Sequence, residues 1–286
     1  MSSYHDVLWK ALRRVEGSEV SGEAVQLLML GLCRMDHTDL YNHYHDEMPP
    51  QQQAAFEAGV ARLQNDEPLA YILGWQEFYG YPIKVDPRVL IPRYETEELV
   101  ANVLADTDHY FPGNEPLDLA DVATGSGAIA IALGKEEPRY RLKATDISAE
   151  AMDLARRNAG ELNVPIEFYQ GDMLQPLIDH QVMLDILVCN PPYIPQSQPV
   201  QASVAKYEPP VALYGGTDGL RFYRSLFSQA RRVLKPRSFI ACEIGWDEKP
   251  AILKLAGETL PEFRAEVLKD LNGKDRMLFL YHDLPE

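Results

Sequence analysis

Residues 117–133 read LDLADVATGSGAIAIAL, and the reading of this stretch decides the fold. The apolar run 117–123 has strand length, Gly125 and Gly127 follow at once, and small apolar residues then continue at helical density. A strand, a tight glycine turn and a helix in that order open a parallel βα unit. The two glycines let the backbone turn and approach a ligand, and the helix start presents free N–H groups. The spacing Gly125-x-Gly127-x-x-Ala130 also satisfies the dinucleotide-binding pattern, so the loop alone names no ligand. Asp121 narrows the choice, because a carboxylate just before the loop repels a pyrophosphate and attracts a cationic amine.

Outward from this unit, strand candidates recur at 141–145, 166–170, 184–189 and 238–244, separated by helical stretches such as 149–159 and 219–234. The alternation implies a parallel sheet with helices on both faces. The end differs: 263–269 and 277–281 alternate apolar and polar residues around DLNGKD, where Asn272-Gly273 signals a hairpin. The fold class expected is therefore α/β, a Rossmann-like sheet ending in an antiparallel hairpin, as in methyltransferase sheets rather than dinucleotide dehydrogenases. Upstream, apolar residues recur at helical spacing from 5 to about 65. The stretch 75–92 mixes aromatics, β-branched residues and turn formers and reads as a hairpin. A helix is expected after Arg93 with Leu99, Val100, Val103 and Leu104 inward, and HYFPGNEP, 109–116, reads as a boundary. The expected domains are a helical region 1–70, a hairpin and linking helix 71–110, and the α/β domain 111–286.

Composition excludes several classes. The net charge is −16, from 27 basic and 43 acidic residues, which argues against holding nucleic acid mainly by phosphate neutralisation. Cys33, Cys189 and Cys242 have no CxxC spacing, and two fall in strand-like runs, as buried thiols in a reducing compartment do. No signal-peptide pattern and no run of membrane-spanning length stands out, so a cytoplasmic location without membrane contact is expected. His43 and His45 lack further ligands at suitable spacing, and no metal is expected.

Four segments fall at the carboxyl ends of successive parallel strands, where open α/β sheets bind ligands. The loop Ala123, Thr124, Gly125, Ser126 and Gly127 ends the first. KATDIS ends the second and places Asp146 nineteen residues beyond Gly127; its carboxylate suits a ribose diol or, alternatively, the N-cap of a helix starting near Ala149, a role Ser148 can also fill. YQGDMLQP ends the third, with Asp172 and Met173 beside an adenine or merely in a loop. DILVCNPPYIP, 185–195, ends the fourth. Pro191 and Pro192 lack N–H groups and hold the chain extended, which leaves the Asn190 carboxamide, the backbone carbonyls and the Tyr193 ring to meet a planar group bearing an NH2. A strand-terminating turn is the plain alternative for these four residues.

ATGSGAIAIAL, TDIS, NPPYIP, EPPVALYGGTDGLRFYR and EIG, with EPLAYILGWQEFYG and VLIPRYETEELV upstream, resemble the HemK/PrmC family of peptide-chain release factor glutamine methyltransferases over roughly residues 66–282. NPPY is shared with amino-methyltransferases of DNA bases, whereas IPRYETE carries the specific resemblance. Three positions depart from the family pattern: Ala123 and Tyr94 stand where Gly and Pro are usual, and Glu248 where Gln is frequent.

The resemblance implies S-adenosylmethionine as cofactor, bound by Asp121, the 123–127 loop, Asp146, Asp172, Met173 and Asn190. It implies methyl transfer to the side-chain N5 of the glutamine in the GGQ motif of class 1 release factors. Asn190 and the Pro191 carbonyl would hold the amide, with Pro192 fixing the loop and Tyr193 packing on the amide plane. Arg93, Glu95 and Thr96 would shape the site. Glu243 would border the site or serve structure alone, and the turn 215–220 would be a helix-entry loop or also lie near the substrate. The helical N-terminal region would recognise the release factor, and a monomer that contacts no nucleic acid directly is expected. Competing classes are an amino-methyltransferase of another protein glutamine or a nucleic-acid base, a nicotinamide-dependent oxidoreductase, and a non-catalytic binding protein.

Overall fold

The computed structural model describes residues 2–285. The chain divides into two compact units, residues 1–76 with 200–207, and 77–199 with 208–286.

The first unit contains α1 (Tyr4–Val15), α2 (Gly22–Cys33), α3 (His37–Asn42), α4 (Pro50–Leu63) and α5 (Leu69–Leu73). Ser3 and Asp36 form capping boxes at α1 and α3, and Ser21 caps α2. Val25, Leu28, Met29, Phe56 and Val60 make the centre of its core. A Cβ at Gly59 of α4 would lie 2.9 Å from a Leu28 methyl, so this glycine is what lets α2 and α4 pack closely. His43 pairs with Asp46 at 2.7 Å on the surface.

A two-stranded hairpin, β1 (Trp75–Phe78) and β2 (Tyr81–Lys84), follows. Both turn residues are left-handed, Tyr79 at φ 52 and Gly80 at φ 79, as a two-residue hairpin loop requires. The helix expected after Arg93 is α6 (Tyr94–Tyr110), with Arg93 at its N-cap. Leu99, Val100 and Val103 are buried as expected, and Leu104 is half-buried. The segment 109–116, read in the sequence as a boundary, lies inside the second unit. Thr107 and Tyr140 hydroxyls meet at 2.5 Å across that loop.

The sheet of the second unit comprises β3 (Leu117–Val122), β4 (Tyr140–Asp146), β5 (Ile166–Gln170), β6 (Leu184–Cys189), β7 (Leu234–Glu243), β8 (Arg264–Lys269) and β9 (Asp275–His282), in the order β5-β4-β3-β6-β7-β9-β8. Five strands are parallel, and β9 returns antiparallel between β7 and β8. The expected α/β sheet with its terminal antiparallel hairpin is thus present. Gly273, at φ 76, sits in the hairpin turn. The connections are α7 (Ala128–Glu136), α8 (Ala149–Glu161), α9 (Gln175–Asp179), α10 (Ala202–Tyr207, which groups with the first unit), α11 (Arg221–Ala230) and α12 (Lys249–Thr259). The largest boundary differences from expectation are that α11 ends at Ala230 instead of 234 and that β7 begins at Leu234 instead of 238, running through Pro236. Every residue of β6 is buried, as a strand covered on both faces must be. No helix among the described residues is long and apolar enough to cross a membrane.

Candidate active site

The ends of β3, β4, β5 and β6 border a cavity of about 210 Å³ lined by the 123–126 loop, Asp146, Asp172, Met173, Asn190 and Pro192. Thr96, Arg93, Val211 and Phe222 complete its wall from other elements. Most of the residues singled out in the sequence therefore converge on one space.

The glycine loop is held by the protein itself. Ala123, Gly125 and Gly127 have φ of 59, 55 and 82, and Gly127 is the N-cap of α7. A Cβ on Gly127 would come 3.2 Å from that of Ala155, so this position serves both the turn and the packing of α7 on α8. The expectation of free N–H groups at the helix start holds in part, since Ala130 N donates to Asp121 Oδ2, and the loop before it uses several of its own amides. Thr124 N donates to Thr145 O, Gly125 N to Asp146 Oδ2 and Gly127 N to Thr124 O, each at 2.9 Å. Ser126 and Ala128, both on the cavity wall, have no such N–H partner among the described residues.

Asp121 lies one layer behind the cavity, with no exposed surface. Its Oδ2 accepts from Thr124 Oγ1 at 2.5 Å and from Ala130 N at 3.2 Å, while Oδ1 is buried without a partner. Burial pushes its pKa up to about 7, against the pull of these two hydrogen bonds and with the nearby Asp146 charge adding to the rise. Asp146 accepts from Ser148 N at 2.8 Å through Oδ1. Burial raises its pKa as well. Ser148 is the N-cap of α8, so Asp146 is left to brace the glycine loop and line the cavity. Asp172 is exposed at the rim, and buried Met173, at φ 49, receives a hydrogen bond on its carbonyl from Thr145 Oγ1 at 3.0 Å.

At the end of β6, Asn190 Nδ2 donates to Glu243 Oε2 at 3.0 Å and to Thr96 Oγ1 at 3.1 Å. Thr96 Oγ1 in turn donates to Glu243 Oε2 at 2.6 Å. Tyr193 is placed differently from expectation. It does not line the cavity: its ring packs against the main core cluster and its hydroxyl donates to Glu243 Oε1 at 3.2 Å. The Glu243 carboxylate draws the phenol inward, away from the cavity. Pro191 is likewise buried outside the lining.

The turn 215–219 backs this loop. Ile194 N donates to Leu213 O at 3.0 Å, Gly215 N to Ile194 O at 2.9 Å and Gln196 N to Gly216 O at 2.9 Å. Glu248 accepts from Gly245 N at 2.8 Å through Oε2, while its buried Oε1 has no partner. Burial pushes its pKa up to about 7.

Two residues of this framework were not singled out as site residues in the sequence, although Glu208 opens the EPPVALYGG segment. Asn158 Nδ2 donates to Ser126 O at 2.9 Å and to Lys84 O at 3.0 Å, and its Oδ1 accepts from Lys84 N at 3.0 Å, tying the glycine loop to the end of β2. Glu208, 3% exposed, accepts from Ile91 N at 3.1 Å and pairs with Arg93, fixing the chain ahead of α6. No motif links residues so far apart in the chain.

A seven-stranded sheet with a terminal antiparallel hairpin and a glycine-loop cavity at its carboxyl edge defines a methyltransferase. Residues 102–206 match the methyltransferase small domain, and 6–74 match the PrmC N-terminal domain. The chain is 37% identical over 277 residues to the release factor glutamine methyltransferase of Enterococcus faecalis, covering 96% of this chain and 97% of that one. It is 36% identical over 258 residues to the protein of that name from Bacillus cereus, covering 90% and 91%. The chain belongs to the release factor glutamine methyltransferase family. The catalytic domain of hMettl16, solved in complex with MAT2A 3'UTR hairpin 6, shares the fold at a TM-score of 0.53 and 16% identity, covering 82% of this chain and 84% of that one.

Proposed function

We propose that this chain transfers a methyl group from S-adenosylmethionine to the side-chain N5 of the glutamine in the GGQ motif of class 1 peptide-chain release factors. The observation that carries the reading is that Asn190, at the end of β6, lines the same cavity as the glycine loop and Asp146. The fit of the cofactor rests on the donor set. Asp121 Oδ1 is a buried carboxylate oxygen without a partner, and its charge just behind the glycine loop attracts a cationic amine held in the cavity. Asp146 offers acceptors to ribose hydroxyls, and Asp172 and Met173 border the position of an adenine.

Bound there, the cofactor supplies a methyl group on a sulfonium, an activated leaving group. The difficulty left to the protein is that an amide nitrogen is a poor nucleophile, its lone pair being delocalised into the carbonyl. Asn190 Oδ1, on the cavity wall, accepts from an N–H of the substrate amide and favours lone-pair density toward the methyl. Pro191, buried outside the lining, and Pro192 keep the loop extended so that this acceptor stays in place. Tyr193 acts through Glu243 rather than on the substrate plane. The proton leaves to water after transfer.

Recognition of the release factor falls to the helical N-terminal unit, because a GGQ tip needs contacts beyond a small cavity. Removal of residues 1–70 then raises KM for the factor while cofactor binding stays measurable.

Transfer of labelled methyl to a purified release factor, beside a factor with Gln→Ala in the GGQ motif and duplex DNA, tests the reading. Label on the intact factor alone supports it; label on DNA rejects it.

A further inference from the structure

Glu243 is a buried titratable group that the reaction itself leaves idle, and Thr96 is a buried hydroxyl in the same position. Their contacts with Asn190 carry information about direction. Asn190 and Glu243 directly follow and end neighbouring strands, since Cys189 of β6 is in register with Cys242 of β7. Thr96 arrives from the first turn of α6. An ionised carboxylate is an acceptor only, and a hydroxyl whose single proton is committed is an acceptor toward everything else. The Thr96 proton is committed to Glu243 Oε2 at 2.6 Å. Asn190 therefore faces two acceptors, at 3.0 and 3.1 Å, and only its NH2 end can meet both. A carboxamide turned by half a rotation about its terminal torsion would set Oδ1 against two oxygens, losing two hydrogen bonds and adding repulsion. With both Nδ2 protons taken, no hydrogen bond to Asn190 Oδ1 is found among the described residues.

We propose that Glu243 and Thr96 are positioning residues that lock the Asn190 carboxamide with Oδ1 as the group offered to the cavity, so that the site admits an N–H donor and rejects an acceptor. This rests on the reading that Asn190 receives the substrate amide. The lock needs Glu243 ionised. Burial raises its pKa and the Glu95 charge adds to the rise, while Thr96, the Arg276 charge and the Tyr193 hydroxyl hold it down. The Tyr193 hydroxyl donates to Oε1 at 3.2 Å, and so keeps that oxygen from competing for Asn190.

The test uses the full chain with Glu243→Leu, Glu243→Gln and Thr96→Val. Three readouts are taken: the Asn190 side-chain NH2 signals in protein labelled with 15N-asparagine, assigned by their disappearance in Asn190→Ala; kcat and KM for a release factor; and affinity for S-adenosylmethionine. In the wild type both Asn190 NH2 protons exchange slowly with solvent. Glu243→Leu abolishes that protection and lowers kcat by about a hundredfold or more, the scale of removing a preorganised polar group, with KM and cofactor affinity within about twofold. Glu243→Gln, which keeps one acceptor oxygen, recovers kcat to within about tenfold of wild type, and Thr96→Val costs about tenfold. Thr96→Val nearly preserves shape and decides the matter if Glu243→Leu does not fold. Protection unchanged in Thr96→Val and Glu243→Leu, equal loss in the Gln and Leu variants, or a loss carried by cofactor affinity would overturn the lock. A protected Asn190 amide with no transfer to the factor would support the lock and overturn the substrate reading instead.

Discussion

Gly215 lies so close to Pro192 that a Cβ added to it would come 2.6 Å from the Pro192 carbonyl oxygen, and it would also strike the carbonyl of Gly219. Gly219 in turn faces the Tyr193 carbonyl and Glu248 Oε1 just as closely. Backbone carbonyls fill the space at Gly215 and share that at Gly219 with the Glu248 carboxylate, so the loop bearing Asn190 is cast against the 215–219 turn. Gly215→Ala must displace one or the other. It is expected to lower kcat by about 10- to 100-fold, as a displacement near 1 Å does in a positioned site, with cofactor affinity little changed. Steady-state kinetics beside calorimetric binding separates the two quantities.

Ala123 holds a left-handed backbone, φ 59, that costs an L-residue about 1–2 kcal/mol. Glycine removes that strain but loses about 0.5–1 kcal/mol to the greater freedom of its unfolded chain. Ala123→Gly is therefore expected to stabilise the protein by up to about 1.5 kcal/mol, read as an increase in denaturant midpoint at constant slope. A destabilised variant would contradict the strain argument.

Asp121 must be ionised to receive a cation, and its pKa stands at about 7. Affinity for S-adenosylmethionine should accordingly rise about tenfold per pH unit up to about 7 and level off above it. Asp121→Asn should weaken binding at pH 8 and flatten the profile. Isothermal titration between pH 5.5 and 8.5 reads both effects, and an unchanged slope in the variant would sink the assignment.

Glu248 has a folded pKa raised to about 7 from 4.5. The native state thus keeps a proton that the unfolded chain has already released, and Glu248 subtracts stability as pH rises from about 4.5 through about 7. The cost is complete above 7. Glu248→Gln removes the charge and offers a donor where Oε1 now lacks a partner. Its Tm should exceed that of wild type at pH 8 and approach it at pH 5; the opposite ordering would contradict the burial argument.

The strands of the sheet were legible from apolar runs of strand length: 166–170, at the edge of the sheet, and 184–189, buried throughout, carry the same bounds in the structure. β7 was truncated in the reading because Lys235, Pro236 and Arg237 break the apolar pattern, although a proline is tolerated where a strand begins. The cavity residues were legible as strand ends, since topology carries Ala123, Asp146, Met173 and Asn190 to one edge. Side-chain direction was not. Tyr193 turns to Glu243, 50 residues away, and Asn190 leans on Thr96, 94 residues away. Asp121 shows its position at the end of β3 in the sequence, but its complete burial follows from the helix laid over it. Pairings across such separations depend on how elements pack, which no local pattern encodes.

The central claim is that Asn190 presents a glutamine amide to the methyl group. The most direct measurement is mass spectrometry of the GGQ-bearing peptide after incubation of a release factor with S-adenosylmethionine and either the wild-type chain or Asn190→Ala. The expected result is one methyl on the glutamine with the wild type and a rate at least about a hundredfold lower with Asn190→Ala at saturating cofactor. Methylation by Asn190→Ala at the wild-type rate, or a methyl group on any residue but that glutamine, would contradict it.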